Sequence, residues 1–148
     1  MYKRILLAYD GSEYGQRALL NCRDIAQWSH SELFLVAVMP PVAITAAMDG
    51  VFYDSGADRY ADSERQRHQG ILDDGLKQLS DAGHVATGEV LVGDSVEQIA
   101  GYAGKISADL IVVGHQHLDS WAARWWRGSG AGALIEHAPC SVLVVIMR

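Results

Sequence analysis

Apolar runs of strand length alternate along this chain with stretches of helical period. Five runs, Arg4–Tyr9, Leu33–Met39, Ala86–Leu91, Leu110–Val113 and Ser141–Ile146, are apolar over most of their length. Strands covered on both faces read this way, whereas a strand with one wet face alternates strictly. After the first run, Ala18, Leu19, Cys22, Ile25 and Ala26 form one stripe of a helix, with Ser12 placed to cap its first turn. A longer helix runs through Ile71, Leu72, Leu76 and Leu79, and Gly83 is placed to stop it. In the third, Asp94 and Glu97 have capping-box spacing ahead of Val96, Ile99, Ala100, Ala103 and Ile106. A short last helix is expected to start at Ser129 and to turn Leu134 and Ile135 inward. Pro40 to Tyr60 mixes small, aromatic and acidic residues and reads as a mobile surface loop, with or without a helical turn. The alternation of strand and helix predicts βαβ units. The fold expected is an α/β, single-domain, doubly wound open parallel sheet of five strands with helices on both faces.

Composition narrows the function. At 148 residues and 49% hydrophobic content, one core and one domain are expected. A formal net charge of −6, with no face or stripe of clustered Lys and Arg, argues against nucleic acid as a partner. The apolar start Ile5–Tyr9 is too short for a signal peptide, and no run approaches the roughly 18 apolar residues of a membrane span. No membrane partner and a cytoplasmic location are therefore expected. Cys22, inside a helical stripe, and Cys140, before a strand, read as packing thiols rather than a disulfide framework.

In an open α/β sheet the ligand crevice lies beyond the carboxyl ends of the strands, where the strand order reverses. That rule selects Ala8-Tyr9-Asp10-Gly11-Ser12, Val38-Met39-Pro40-Pro41, and the glycine-punctuated segment Gly114 to Gly132. In the last, Gly114-His115-Gln116-His117 is followed by ten residues and then Gly128-Ser129-Gly130-Ala131-Gly132, which opens a helix. Glycines and a hydroxyl at a helix start expose backbone N–H groups and the positive dipole end, a combination suited to phosphate. Arg124 and Arg127 stand just before it, and a guanidinium suits phosphate charge. The competing reading is a plain helix cap with solvated arginines. Asp10 is placed to accept from an adenine or ribose or to help hold Mg²⁺ beside phosphates; its alternative is an Asx-type turn cap. Val38 and Met39 would wall an adenine or simply belong to the core. His115 and His117 raise a metal reading that no nearby Cys or carboxylate completes, so no metal site is expected. His84 and His137 read as surface or end-of-helix residues. Trp121, Trp125 and Trp126 read as packing the loop onto the domain or a partner. No Walker-type motif or Ser–His–Asp order is present.

Four segments in order resemble the universal stress protein family over the whole chain. They are Ile5-Leu6-Leu7-Ala8-Tyr9-Asp10-Gly11-Ser12-Glu13, Gly93-Asp94-Ser95, Ala108-Asp109-Leu110-Ile111-Val112-Val113-Gly114, and Ala138-Pro139-Cys140-Ser141-Val142-Leu143-Val144-Val145. The resemblance implies one domain over residues 1–148, strand order 3-2-1-4-5 of the adenine nucleotide α-hydrolase-like kind, and ATP bound without fast turnover. It also implies a homodimer through the last strand, Val142 to Ile146; an apolar edge of that kind tends to find a partner. Nucleotide-binding members carry G-x-x-G, nine residues, then G-[ST]. Gly114, Gly128 and Ser129 match, while His117 stands at the second glycine and ten residues intervene. The sequence after the fourth strand and Trp121 are similar to the branch without the glycine motif. Carried over, Ala8, Tyr9 and Asp10 belong to the adenosine site and Val38 touches the base. Gly114 meets the ribose–phosphate junction, with His117 beside it. Gly128, Ser129 and Gly130 hold the phosphates, whose charge Arg127, by the reading of the residues above, is placed to neutralise. The function implied is a cytoplasmic, dimeric stress-response module that binds ATP, with or without Mg²⁺, and contacts an unidentified protein partner. It is not expected to be an enzyme. The alternative is a dimeric interaction protein that binds no nucleotide.

Overall fold

Strand follows helix through nine elements of a computed structural model that describes residues 2–9, 13–39, 55–116 and 130–147. They are β1 (Arg4–Ala8), α1 (Glu13–Ser29), β2 (Glu32–Met39), α2 (Ser55–Asp81), β3 (Ala86–Val92), α3 (Ser95–Lys105), β4 (Leu110–Gln116), α4 (Gly130–His137) and β5 (Ser141–Met147). The strands form one sheet in the order β3-β2-β1-β4-β5, as expected. Every pairing is parallel; on β1, Leu7 stands beside Leu35 on one side and Val112 on the other.

The apolar runs of the central strands are explained by their burial on both faces. Ile5, Leu7 and Tyr9 share one cluster with Leu33, Leu35 and Ala37 and with Ala18, Leu19 and Cys22 of α1 and Leu72 and Leu79 of α2. Leu6 and Ala8 point the other way, into a cluster with Val36, Ile111 and Val113 closed by Ile99, Tyr102 and Ala103 of α3 and Leu134 of α4. Each fully buried aliphatic side chain of this kind contributes about 1.5–3 kcal/mol of transfer free energy. Two helices on each face make the sheet doubly wound.

Asp94 and Gly83 take the roles expected of them. Asp94 accepts from the Glu97 N–H at 3.0 Å at the start of α3. Gly83 takes φ 88° after α2, its N–H bonding Ser80 O at 2.9 Å while His84 N–H bonds Leu79 O at 2.8 Å. This is a Schellman stop, which requires the left-handed backbone that glycine adopts freely. At the amino-terminal end of the sheet, the Asp109 carboxylate accepts from the backbone N–H of Lys3 at 2.8 Å and of Arg4 at 2.9 Å. The Arg4 guanidinium donates to Ile106 O at 3.0 Å. Burial disfavours the charge on Asp109, but the backbone N–H bonds outweigh it and hold the carboxyl below its ordinary value.

Two boundaries and the facing of one helix differ most from the expectation. Residues 55–60 are helical, so α2 runs for 27 residues and is not preceded by loop as far as Tyr60; a helix adds one bond per residue once begun. β4 continues through Gln116 because Gly114, His115 and Gln116 pair with Val145, Ile146 and Met147 of β5. Gly114 and His115 therefore belong to a strand, not to the loop. In α4, Leu134 is 1% exposed and Ile135 60% exposed, so only the first turns inward. Neighbouring helix positions lie about 100° apart, and an eight-residue helix has one narrow face against the sheet. Residues 40–54 and the expected cap Ser12 lie outside the described residues.

Candidate functional site

Because all five strands run parallel, their carboxyl ends share one edge, and so do the N-termini of the connecting helices. From β1 the order runs out to β2 and β3 on one side and to β4 and β5 on the other. The reversal opens between β1 and β4, the position where ligands bind such sheets.

Ala8 ends β1 and is buried, its methyl on the face covered by α3 and α4. Val38, near the end of β2, is half-buried on that same face and pairs with Leu91 of β3. Gly114 is a buried position of β4 beside Val145. Gly130 is the first residue of α4, whose N-terminus lies at this edge because the helix must return the chain to the amino end of β5. The Gly93 N–H donates to Met39 O at 3.0 Å, joining the end of β2 to the approach to α3. Ala8, Val38, Gly114 and Gly130 thus come to one edge. Of the other candidates, Asp10, His117, Arg127, Gly128 and Ser129 lie outside the described residues, as do Arg124 and the three loop tryptophans.

Tyr9 is placed differently. Its N–H donates to Val36 O at 3.0 Å, while its ring turns to the face beneath α2 and is 2% exposed. The hydroxyl donates to Asp74 Oδ2 at 3.2 Å. Gln78 Nε2 donates to the same Asp74 oxygen at 3.0 Å and to the Tyr9 hydroxyl at 3.3 Å. Asp74 and Gln78 carried no signal in the sequence, where they are ordinary polar positions of an amphipathic helix.

Among the described residues no group of three or more His, Cys, Asp or Glu is arranged to hold a metal ion, and no helix is long and apolar enough to cross a membrane. Burial pushes the Cys22 thiol up to about 12, so it stays protonated and packs as an apolar group. Burial also raises Cys140, with the Asp109 charge adding to it. His137 sits in the last turn of α4 with Nδ1 2.7 Å from Ala133 O, the end-of-helix role expected of it.

The sequence matches the universal stress protein family over residues 1–145. The chain belongs to this family. A universal stress protein of Thermus aquaticus is 31% identical over 145 residues, with 98% of this chain and 99% of the relative covered. The structure of the universal stress protein UspA from Lactobacillus plantarum is similar at 26% identity and a TM-score of 0.76, covering 97% of each chain. Two family structures at lower identity share the fold. One, in complex with cAMP, has 24% identity and a TM-score of 0.70 over 97% of each chain. The other, from Archaeoglobus fulgidus in complex with dAMP, has 20% identity and a TM-score of 0.69 over 97% of this chain and 98% of that one.

Proposed function

We propose that this universal stress protein binds an adenine nucleotide at the carboxyl edge of its sheet and acts as a regulatory binding module without fast turnover. The observation that carries this reading is that Ala8, Val38, Gly114 and the start of α4 lie along the carboxyl edge of the sheet that holds the reversal between β1 and β4. A small methyl and a branched aliphatic on one face suit a flat purine, since larger side chains there would fill its place. A residue without a side chain on β4 lets the ribose approach the backbone. Gly128, Ser129 and Gly130 lead into the N-terminus of α4, where unpaired N–H groups favour phosphate oxygens. Arg127 would balance phosphate charge, and Asp10 would take the ribose or a phosphate-bound Mg²⁺. The cAMP and dAMP held by the two relatives share adenine with ATP, which supports recognition of the base in particular.

The functional unit proposed is a homodimer through Val142 to Ile146 of β5, in the cytoplasm, presenting its nucleotide-dependent surface to a protein partner. β5 is an edge strand of the sheet, and Ser141–Met147 contains no charged residue.

Denaturing the purified protein and analysing the supernatant by mass spectrometry is expected to release adenine nucleotide. Saturating ATP at about 100 times its Kd should raise the melting temperature by about 5–10 °C, the stabilisation of mass action spread over a domain of this size. No released nucleotide together with no thermal shift overturns the reading. That outcome favours the dimeric protein without nucleotide, for which His117 at the second glycine position is the motivating residue.

A further inference from the structure

The approach to α3 holds a polar side chain on a glycine seat. Gly93 follows β3 with φ 141°, a backbone that residues with a side chain rarely adopt. Its N–H donates to Met39 O at 3.0 Å, which ties it to the end of β2. A Cβ on Gly93 would stand 2.9 Å from Gln98 Nε2, 3.2 Å from Gln98 Cγ and 3.3 Å from Gln98 Cδ. The Gln98 side chain therefore occupies the space that any other residue at position 93 would need. Gln98 is the fourth residue of α3, and its side chain leans back toward the helix start, as helical Cα–Cβ bonds do. Its amide thus lies at the carboxyl edge of the sheet.

Gln98 is half-buried, and among the described residues its amide has no hydrogen-bond partner. The amide carries two N–H donors and a carbonyl with two lone pairs. Packing does not call for these groups, because Val96 and Ile99 on either side of Gln98 close the apolar cluster beneath α3. Gly93 gives the amide its place, and its hydrogen-bonding groups are left for a ligand.

In the nucleotide reading, the phosphates lie at the start of α4, the ribose at Gly114 of β4 and the base against Ala8 of β1 and Val38 of β2. The ligand then runs along the edge in the order β4, β1, β2, and the next strand is β3. β2 stands two strand spacings, about 10 Å, from β4, with β3 one spacing further. A base resting on Val38 turns its outer rim to the ends of β2 and β3, where Gly93 joins Met39 on one side and Gln98 on the other. At N6 and N7 adenine presents a donor beside an acceptor, which a glutamine amide matches with two hydrogen bonds. Guanine presents two acceptors there.

We propose that Gln98 is a specificity-determining residue: its side-chain amide, seated on Gly93, reads the N6 and N7 edge of the purine and selects adenine over guanine. The role rests on the nucleotide reading above, and it makes Gly93 the support of the base-reading group as well as the turn that enters α3.

The test compares ATP, GTP and 7-deaza-ATP, in which N7 is replaced by a C–H group, by calorimetry on the unmodified chain and on Gln98→Met. Q98M keeps the length of the side chain and deletes the amide. The unmodified chain is expected to bind 7-deaza-ATP about fivefold more weakly than ATP, the effect of one hydrogen bond, and GTP about tenfold more weakly or worse. Q98M should bind ATP about tenfold more weakly than the unmodified chain and hold ATP and 7-deaza-ATP within twofold of each other. Each ratio is taken within one protein, so a change in folding stability cancels from it. Glu97→Ala, at the exposed neighbouring position, should leave every affinity within twofold. ATP binding with no preference over 7-deaza-ATP in the unmodified chain, or a preference undiminished in Q98M, overturns the role of Gln98 and leaves the nucleotide reading standing. Binding of none of the three probes overturns both.

Discussion

The sheet has two edges, β3 and β5, and they are built differently. β3 carries Thr87 and Glu89 as exposed positions, and its inward positions Ala86 and Val90 pack under α2, with Leu72 lying against Gly88. Two copies meeting antiparallel about the middle of β3 would bring Glu89 against Glu89, and like charges opposed across strands are destabilising. β5 is Ser-Val-Leu-Val-Val-Ile-Met, without a charge, and Val142, Leu143 and Val144 are each only partly covered by their own chain. A charged edge resists strand addition, and a flat apolar edge invites it. The lesson is that one sheet has an edge strand that carries a charge and an edge strand that carries none. The difference lies in a few side chains, not in the backbone.

The sharpest way to break the comparison is Val144→Glu. A carboxylate in the middle of the β5 edge would face its own copy in a dimer, with expected weakening of self-association by about 100-fold or more, read by sedimentation equilibrium. A chain that is monomeric before the substitution at about 100 μM removes the contrast altogether. Glu89→Val works from the other side. Removing the guard should leave the fold intact and raise concentration-dependent association or aggregation at the β3 edge several-fold by light scattering; an unchanged profile would show that α2, rather than the charge, protects that edge.

The smallest effect concerns stability away from both edges. Asp109 is held below its ordinary value of 3.8 against the opposing effect of burial, so its contribution is fully present above that value and is lost as pH falls through the lower, folded-state value. Urea unfolding of the unmodified chain should therefore weaken between about pH 4 and more acid conditions. D109N should be less stable at neutral pH and show a flatter profile over that window. Equal slopes in the two proteins would mean that the acid sensitivity comes from other carboxylates. Because this clamp sits at the amino end of β1 and β4, D109N should leave association through β5 unchanged, which makes it a control for both edge variants.

Much of the fold was legible because its signals are local. Five apolar runs became five strands, with ends shifted by one to three residues. Asp94 and Gly83 acted as a cap and a stop because each depends on hydrogen bonds within a few residues of itself. The expectations that moved were those decided by distant partners. β4 outran its apolar core because Gly114, His115 and Gln116 gained ladder partners in β5, about thirty residues on, which no local pattern encodes. Ile135 faced outward because the sheet accepts one side of α4, and Leu134 took it. Ala8, Val38, Gly114 and Gly130 were legible as site candidates from the rule that ligands lie beyond strand ends. The triangle of Tyr9, Asp74 and Gln78 was not, since its members are separated by 65 and 69 positions.

By itself, the sequence determined the class of fold, the alternation of its elements, the family and the segments that approach the carboxyl edge. Each is written in periodicity, in capping residues or in short motifs that act where they stand. Tertiary structure alone decided which way the last residues of β1 divide, Ala8 to one face and Tyr9 to the other beneath α2. It also decided that a glycine of α2 should lie against that ring, and that the uncharged strand β5 should stand at one edge of the sheet. The reason is physical: a side chain's direction on a strand follows from register, and register is settled only when the neighbouring strands and helices have closed around it.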